Sequence, residues 1–148
     1  MTIIICANAG RLRTFRVSQS ETMAEPVNQI SEIANQEIED GPQRVGEMTS
    51  DQAGRFRSDG TPGMGQGDAN GLEREEERRL ISQLAEKIGG TLREVGAEEW
   101  MLAAPHTINA RLLEELDPAL RRSLANNEKH DLTKLPTLAV GRRFGLIT

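Results

Sequence analysis

Residues 63–67 read Gly63-Met64-Gly65-Gln66-Gly67. Glycine lets a backbone take positive φ and come close to a ligand. The glutamine amide offers a carbonyl acceptor and two N–H donors without a titrating proton. Such a group can orient a water and donate to a developing oxyanion, chemistry suited to ester hydrolysis. The same five residues also read as a flexible linker with a chance glutamine. Upstream, Gly54-Arg55-Phe56-Arg57 sets two guanidiniums beside a ring. That trio can grip a phosphate and a base, or simply stand in solvent.

The remaining reactive residues are sparse. His106 follows Pro105 where a strand is expected to end, the edge at which α/β sheets hold ligands, though a helix-capping or surface role is commoner. His130-Asp131 is the other histidine site. No Cys or Glu cluster stands at ligand spacing around either histidine, so no metal site is expected. No phosphate loop, dinucleotide fingerprint or Ser–His–acid order is present, and no cofactor is expected. Cys6 is the single cysteine, which excludes a disulfide framework and a thiolate metal site. Within Ile3-Ile4-Ile5-Cys6-Ala7 it reads as a small buried apolar side chain.

The chain that must position these residues has 148 of them, one domain's worth, so 1–148 reads as a single domain. Its net charge of -5 is opposite to that of a free nucleic-acid binder. The charge is uneven. Residues 21–40 hold six acids and no bases, whereas 121–143 hold six bases against two acids. That second segment is either a face toward phosphate or an ordinary solvated surface. With three Phe, one Trp and no Tyr, platforms that stack bases on exposed rings are not expected. No stretch approaches the roughly 18–20 apolar residues that span a bilayer. The apolar run at the start is short and lacks a basic lead-in, so no signal peptide and a cytoplasmic location are expected, with no membrane partner.

Residues 2–8 form a continuous β-branched run closed by a turn signal, and 12–18 alternate, together predicting a hairpin. Val27, Ile30 and Ile33 suggest a third strand, although their three-residue spacing also permits a short helix. Residues 41–71 carry eight of the 14 glycines with Pro42 and Pro62, predicting a flexible Gly-rich loop over 48–69. The main helix is predicted to start at Asn70, with Glu73 completing a capping box. Leu80, Ile81, Leu84, Ile88 and Leu92 give it an apolar stripe, and Gly89-Gly90 are expected to end or fray it. A second buried strand follows over 100–104. A helix is expected from Thr107, a short one at Asp117-Pro118, a last short strand over 129–133 and a closing helical piece over 135–140. The fold class is therefore single-domain α/β, a mixed sheet with flanking helices and a long Gly-rich loop before the main helix.

Several segments carry a resemblance: Ile5-Cys6-Ala7-Asn8-Ala9-Gly10-Arg11-Leu12-Arg13-Thr14-Phe15, Ser50-Asp51-Gln52-Ala53-Gly54-Arg55, Leu102-Ala103-Ala104-Pro105, Leu116-Asp117-Pro118-Ala119-Leu120-Arg121 and Asp131-Leu132-Thr133. Their arrangement resembles the bacterial relatives of the archaeo-eukaryotic peptide-chain release factors, in particular the host attachment protein family. The resemblance implies an RNase H-like fold of the release-factor middle-domain type. In that domain a Gly-Gly-Gln loop ahead of a long helix enters the peptidyl-transferase centre and promotes hydrolysis of the peptidyl-tRNA ester. Gly65 and Gln66 would then be the catalytic pair, with Gly63, Gly67, Arg55 and Arg57 toward nucleic acid. Met64 stands where the family has its first glycine, and its β-carbon restricts positive φ.

Codon-reading domains are not expected at this length, so the implied role is translation rescue, ribosome occupancy or dormancy, with the ribosome, rRNA and tRNA as partners. The alternative is a non-catalytic interaction protein that affects adhesion or stress physiology indirectly. An unrelated RNase H-like nuclease is disfavoured, because neither 3–7 nor 100–104 contains an acid to hold divalent metal.

Overall fold

The computed structural model describes residues 1–20, 27–38 and 62–147. The hairpin forms as expected: β1 (Thr2–Ala7) pairs antiparallel with β2 (Arg11–Ser20). Its turn is tied by the Asn8 amide N–H to the Arg11 carbonyl at 3.0 Å and by the Gly10 N–H to Asn8 Oδ1 at 2.8 Å. The 27–33 segment resolves as strand. β3 (Val27–Glu37) pairs antiparallel with β2 along its length. A bulge at Thr14/Phe15 sets Glu32, instead of Ile33, opposite Phe15, so an acid shares the face that carries Arg13.

Helix α1 (Pro62–Val95) corrects the expected start at Asn70. Residues 62–69, expected as the end of the Gly-rich loop, have helical backbone, while 48–61 lie outside the described residues. Extending a helix already anchored on a core needs only one hydrogen bond per added residue. Pro62 suits the first position, where its missing N–H costs nothing. Nor does Gly89-Gly90 end the helix. Burial of Ile88 and Leu92 on the sheet holds the chain helical through both glycines. The end comes at Gly96, whose φ of 67° belongs to the left-handed region. The Ala97 N–H reaches the Leu92 carbonyl at 3.0 Å and the Gly96 N–H the Arg93 carbonyl at 3.2 Å, the paired bonds of a Schellman stop.

The chain then forms β4 (Glu99–Ala103), α2 (His106–Glu115) and α3 (Pro118–Arg122). The last strand is β5 (Leu124–Glu128), not 129–133. It is a polar edge strand of sequence LANNE, and 131–133 instead make a tight turn around the Asp131 carboxylate. α4 (Thr137–Arg143) closes the described chain.

Among the described residues the sheet has five strands in the order β3-β2-β1-β4-β5. β1, β4 and β5 run parallel, and β2 alone opposes the other four. One face buries Ile3, Ile5 and Leu12 against Leu84 and Ile88 of α1 and Leu112 of α2. The other buries Ile4, Cys6, Phe15 and Met101 beneath Leu132, Val140 and Phe144. Burial on both faces explains why β1 reads as an unbroken apolar run. Each such side chain contributes about 1.5–3 kcal/mol of transfer free energy. The architecture is thus a mixed α/β domain, helices on both sides of one sheet.

Candidate functional site

The carboxyl ends of β1, β4 and β5 lie along one edge of the sheet, and the polar side chains gather there. β1 delivers Asn8 just past its last residue. Both hydrogens of the Asn8 amide are used, one on Asp131 Oδ2 at 3.0 Å and one on Thr133 Oγ1 at 2.8 Å. Asp131 Oδ1 accepts from the Thr133 backbone N–H at 2.9 Å and from its hydroxyl at 2.6 Å. Burial works to raise the Asp131 pKa, but the hydrogen bonds from Thr133 and Asn8, with Lys134 nearby, hold its carboxyl below the usual range. A carboxylate saturated in this way is a fixed anion. It is a poor proton acceptor for catalysis.

One step along the sheet, β2 delivers Arg13, a buried guanidinium. Its Nε donates to Glu32 Oε2 at 2.6 Å, and its Nη1 donates to the carbonyls of Thr133 at 2.9 Å and Leu135 at 2.6 Å. The guanidinium carbon stands 4.8 Å from the Phe15 ring centroid. Arg13 and Asn8 together pin residues 131–135 across the sheet edge. Cys6 lies against this cluster, paired in register with Arg13. Burial pushes its thiol up to about 12, against the opposing pull of the Arg13 charge.

A second polar tie joins α2 to β5. Asn109, 1% exposed, donates to Asn127 Oδ1 at 2.8 Å, and Asn127 returns the bond at 2.7 Å. His106 opens α2 and is exposed. His130 Nε2 stands 4.0 Å from Glu128 Oε1, which also takes Arg143 Nε at 3.0 Å. Among the described residues no group of three or more His, Cys, Asp or Glu could hold a metal ion. No helix among them is long and apolar enough to cross a membrane.

Of the residues singled out in the sequence, Gly63, Gly65, Gln66 and Gly67 lie on the first turns of α1, and Arg55 and Arg57 lie outside the described residues. The sheet edge is built from other residues. It assembles Asn8, Arg13, Asp131 and Thr133, which spacing rules could not join, since Asn8 and Thr133 are 125 positions apart. The available signal was that all four fall in segments carrying the family resemblance. A protein-family model matches residues 3–144 of the chain, and its description is protein required for attachment to host cells. No curated protein matches it.

Proposed function

The chain belongs to the family of proteins required for attachment to host cells, and from that premise we propose that it is a ribosome-associated binding protein whose working part is α1. In this reading the sheet is an RNase H-like scaffold of the release-factor middle-domain type. The lone antiparallel strand β2 within an otherwise parallel sheet supports that reading. The observation that carries it is the reach of α1. Its buried positions among the described residues begin at Leu80, whereas Gln66 stands about 20 Å farther toward the start at 1.5 Å per residue.

Gln66 would meet the tRNA end or a water there, and Gly65 would let the backbone approach. Gly63 and Gly67, with Arg55 and Arg57, would face RNA. The reaction promoted is attack of that water on the ester carbonyl, with the C–O bond to the tRNA ribose breaking and the ribose oxygen taking the proton. Saturation of Asp131 leaves the body of the domain as support and not as a second catalytic centre.

The family's description favours a second reading, a non-catalytic interaction protein that alters adhesion or stress physiology through another partner. Sedimentation with ribosomal particles at graded salt, followed by release of labelled peptide from stalled ribosomes, separates the two. The first reading expects co-sedimentation at low salt and loss of release in Gln66→Ala and Gly65→Ala with binding retained. No co-sedimentation at any salt overturns it. A pull-down returning non-ribosomal partners that ignore substitutions in 63–67 establishes the second.

A further inference from the structure

On the side of the sheet that α1 and α2 cover, these two helices enclose an open groove of about 440 Å³ lined by Arg74, Arg78, Ile81, Glu114 and Glu115. Arg111 and Glu77 also line it and meet across it at 2.9 Å. The remaining charges are segregated by wall. Arg74 and Arg78 are one helical turn apart on α1, and Glu114 and Glu115 are neighbours on α2. Among the described residues none of these four has an ion-pair or hydrogen-bond partner.

We propose that this groove is a self-docking surface, in which a second copy of the chain seats face to face about a two-fold axis that runs along the groove between its walls, near the Glu77–Arg111 pair. An anionic ligand would meet Glu114 and Glu115, and a cationic one would meet Arg74 and Arg78. Only a surface with the reverse arrangement satisfies both walls. A two-fold copy supplies that reversal by symmetry, setting each basic wall against the other copy's acidic wall. The apolar contribution is small, because Ile81 is only 3% exposed. The dimer is therefore held mainly by exposed ion pairs, so it is weak and salt-sensitive.

Sedimentation equilibrium of the full chain tests this. The unmodified protein should dimerise at low ionic strength and be monomeric near 1 M salt, where the screening length is roughly 3 Å. R74E/R78E alone and E114R/E115R alone should each be monomeric, their grooves now carrying one sign. Mixed in equal amounts they should restore the dimer, which also shows that both fold. Should a reversal unfold the chain, R78Q and E114Q replace it, each expected to raise the dissociation constant about tenfold, or 1.4 kcal/mol. A monomer at every concentration, a mixture that stays monomeric, or a variant that dimerises alone overturns the proposal.

Discussion

Asn8 and Asp131 are 123 positions apart in the chain, and the amide nitrogen of one stands 3.0 Å from the carboxylate of the other. That bond joins the end of the first strand to a turn near the end of the chain. With Thr133 it forms a closed network in which Asp131 takes three hydrogen bonds. Closure of this kind makes the carboxyl edge of the sheet a rigid support for the helices that leave it.

Asp131→Ala should therefore lower stability near neutral pH by about 1–3 kcal/mol, the usual range for charge-assisted hydrogen bonds. The effect depends on pH. Hydrogen bonding holds the folded-state pKa below the ordinary value of 3.8, so the stabilisation is complete above that value and is lost as pH falls through the folded pKa. Urea unfolding at pH 7 and in steps below pH 4 should show wild type and variant converging in acid. A gap that stays constant with pH would rule out an ionised Asp131 as its source.

Arg13 carries the heavier load. Replacing it with Met keeps the stem but removes the partner of Glu32 and leaves the Thr133 and Leu135 carbonyls without their donor. The expected cost is about 2–4 kcal/mol. Lysine should recover only part, since a compact ammonium cannot fork to three acceptors while lying over Phe15. Denaturant midpoints should rank wild type above Arg13→Lys and that above Arg13→Met. An Arg13→Met protein within 0.5 kcal/mol of wild type would contradict the roughly 1 kcal/mol or more expected for each orphaned buried acceptor.

What the sequence revealed follows from how local each signal is. The β1–β2 hairpin was legible because an apolar run, a turn and an alternating run adjoin one another. The stripe from Leu80 to Leu92 was legible because its period is a property of one helix. β5 was hidden: an edge strand half in solvent needs no apolar pattern, and Leu124–Glu128 has none. The start of α1 was misplaced because Asn70 and Glu73 imitate a cap that tertiary anchoring made unnecessary. The Asn8, Arg13, Asp131 and Thr133 cluster was invisible to spacing, since only the closed sheet brings its members together.

Cys6 offers a probe of that closed sheet. Burial raises its thiol from 9.0 to about 12, so at pH 8 the folded protein presents almost no thiolate, and thiol reagents should react only through unfolding. A raised folded pKa also means stability is intact below pH 9 and declines as pH climbs from there toward the folded value. The slope from this one group is at most about 1.4 kcal/mol per pH unit. Urea titrations between pH 8 and 11 should show a steeper alkaline loss in wild type than in Cys6→Ala. Equal slopes, or rapid labelling of the native protein at pH 8, would place the thiol in contact with water.

Two glycines, one inside α1 and one just past its end, should respond to alanine with opposite signs. Gly90 sits inside the helix, where an added β-carbon meets nothing within 4 Å. Alanine there gains helix propensity and restricts the unfolded chain, for about 0.5–1 kcal/mol of added stability. Gly96 also has open space around its missing β-carbon, but its φ is +67°. There the penalty is conformational, about 1–2 kcal/mol for a left-handed alanine. It falls on the residue whose N–H, with that of Ala97, closes the helix end onto Arg93 and Leu92. Because neither alanine creates a clash, packing cannot account for a difference between them. Thermal or urea unfolding of the two single variants should move the midpoint up for Gly90→Ala and down for Gly96→Ala. If both moved up, the chain would leave the helix by some route other than the left-handed stop at Gly96, and the direction in which α1 hands over to β4 would need another cause.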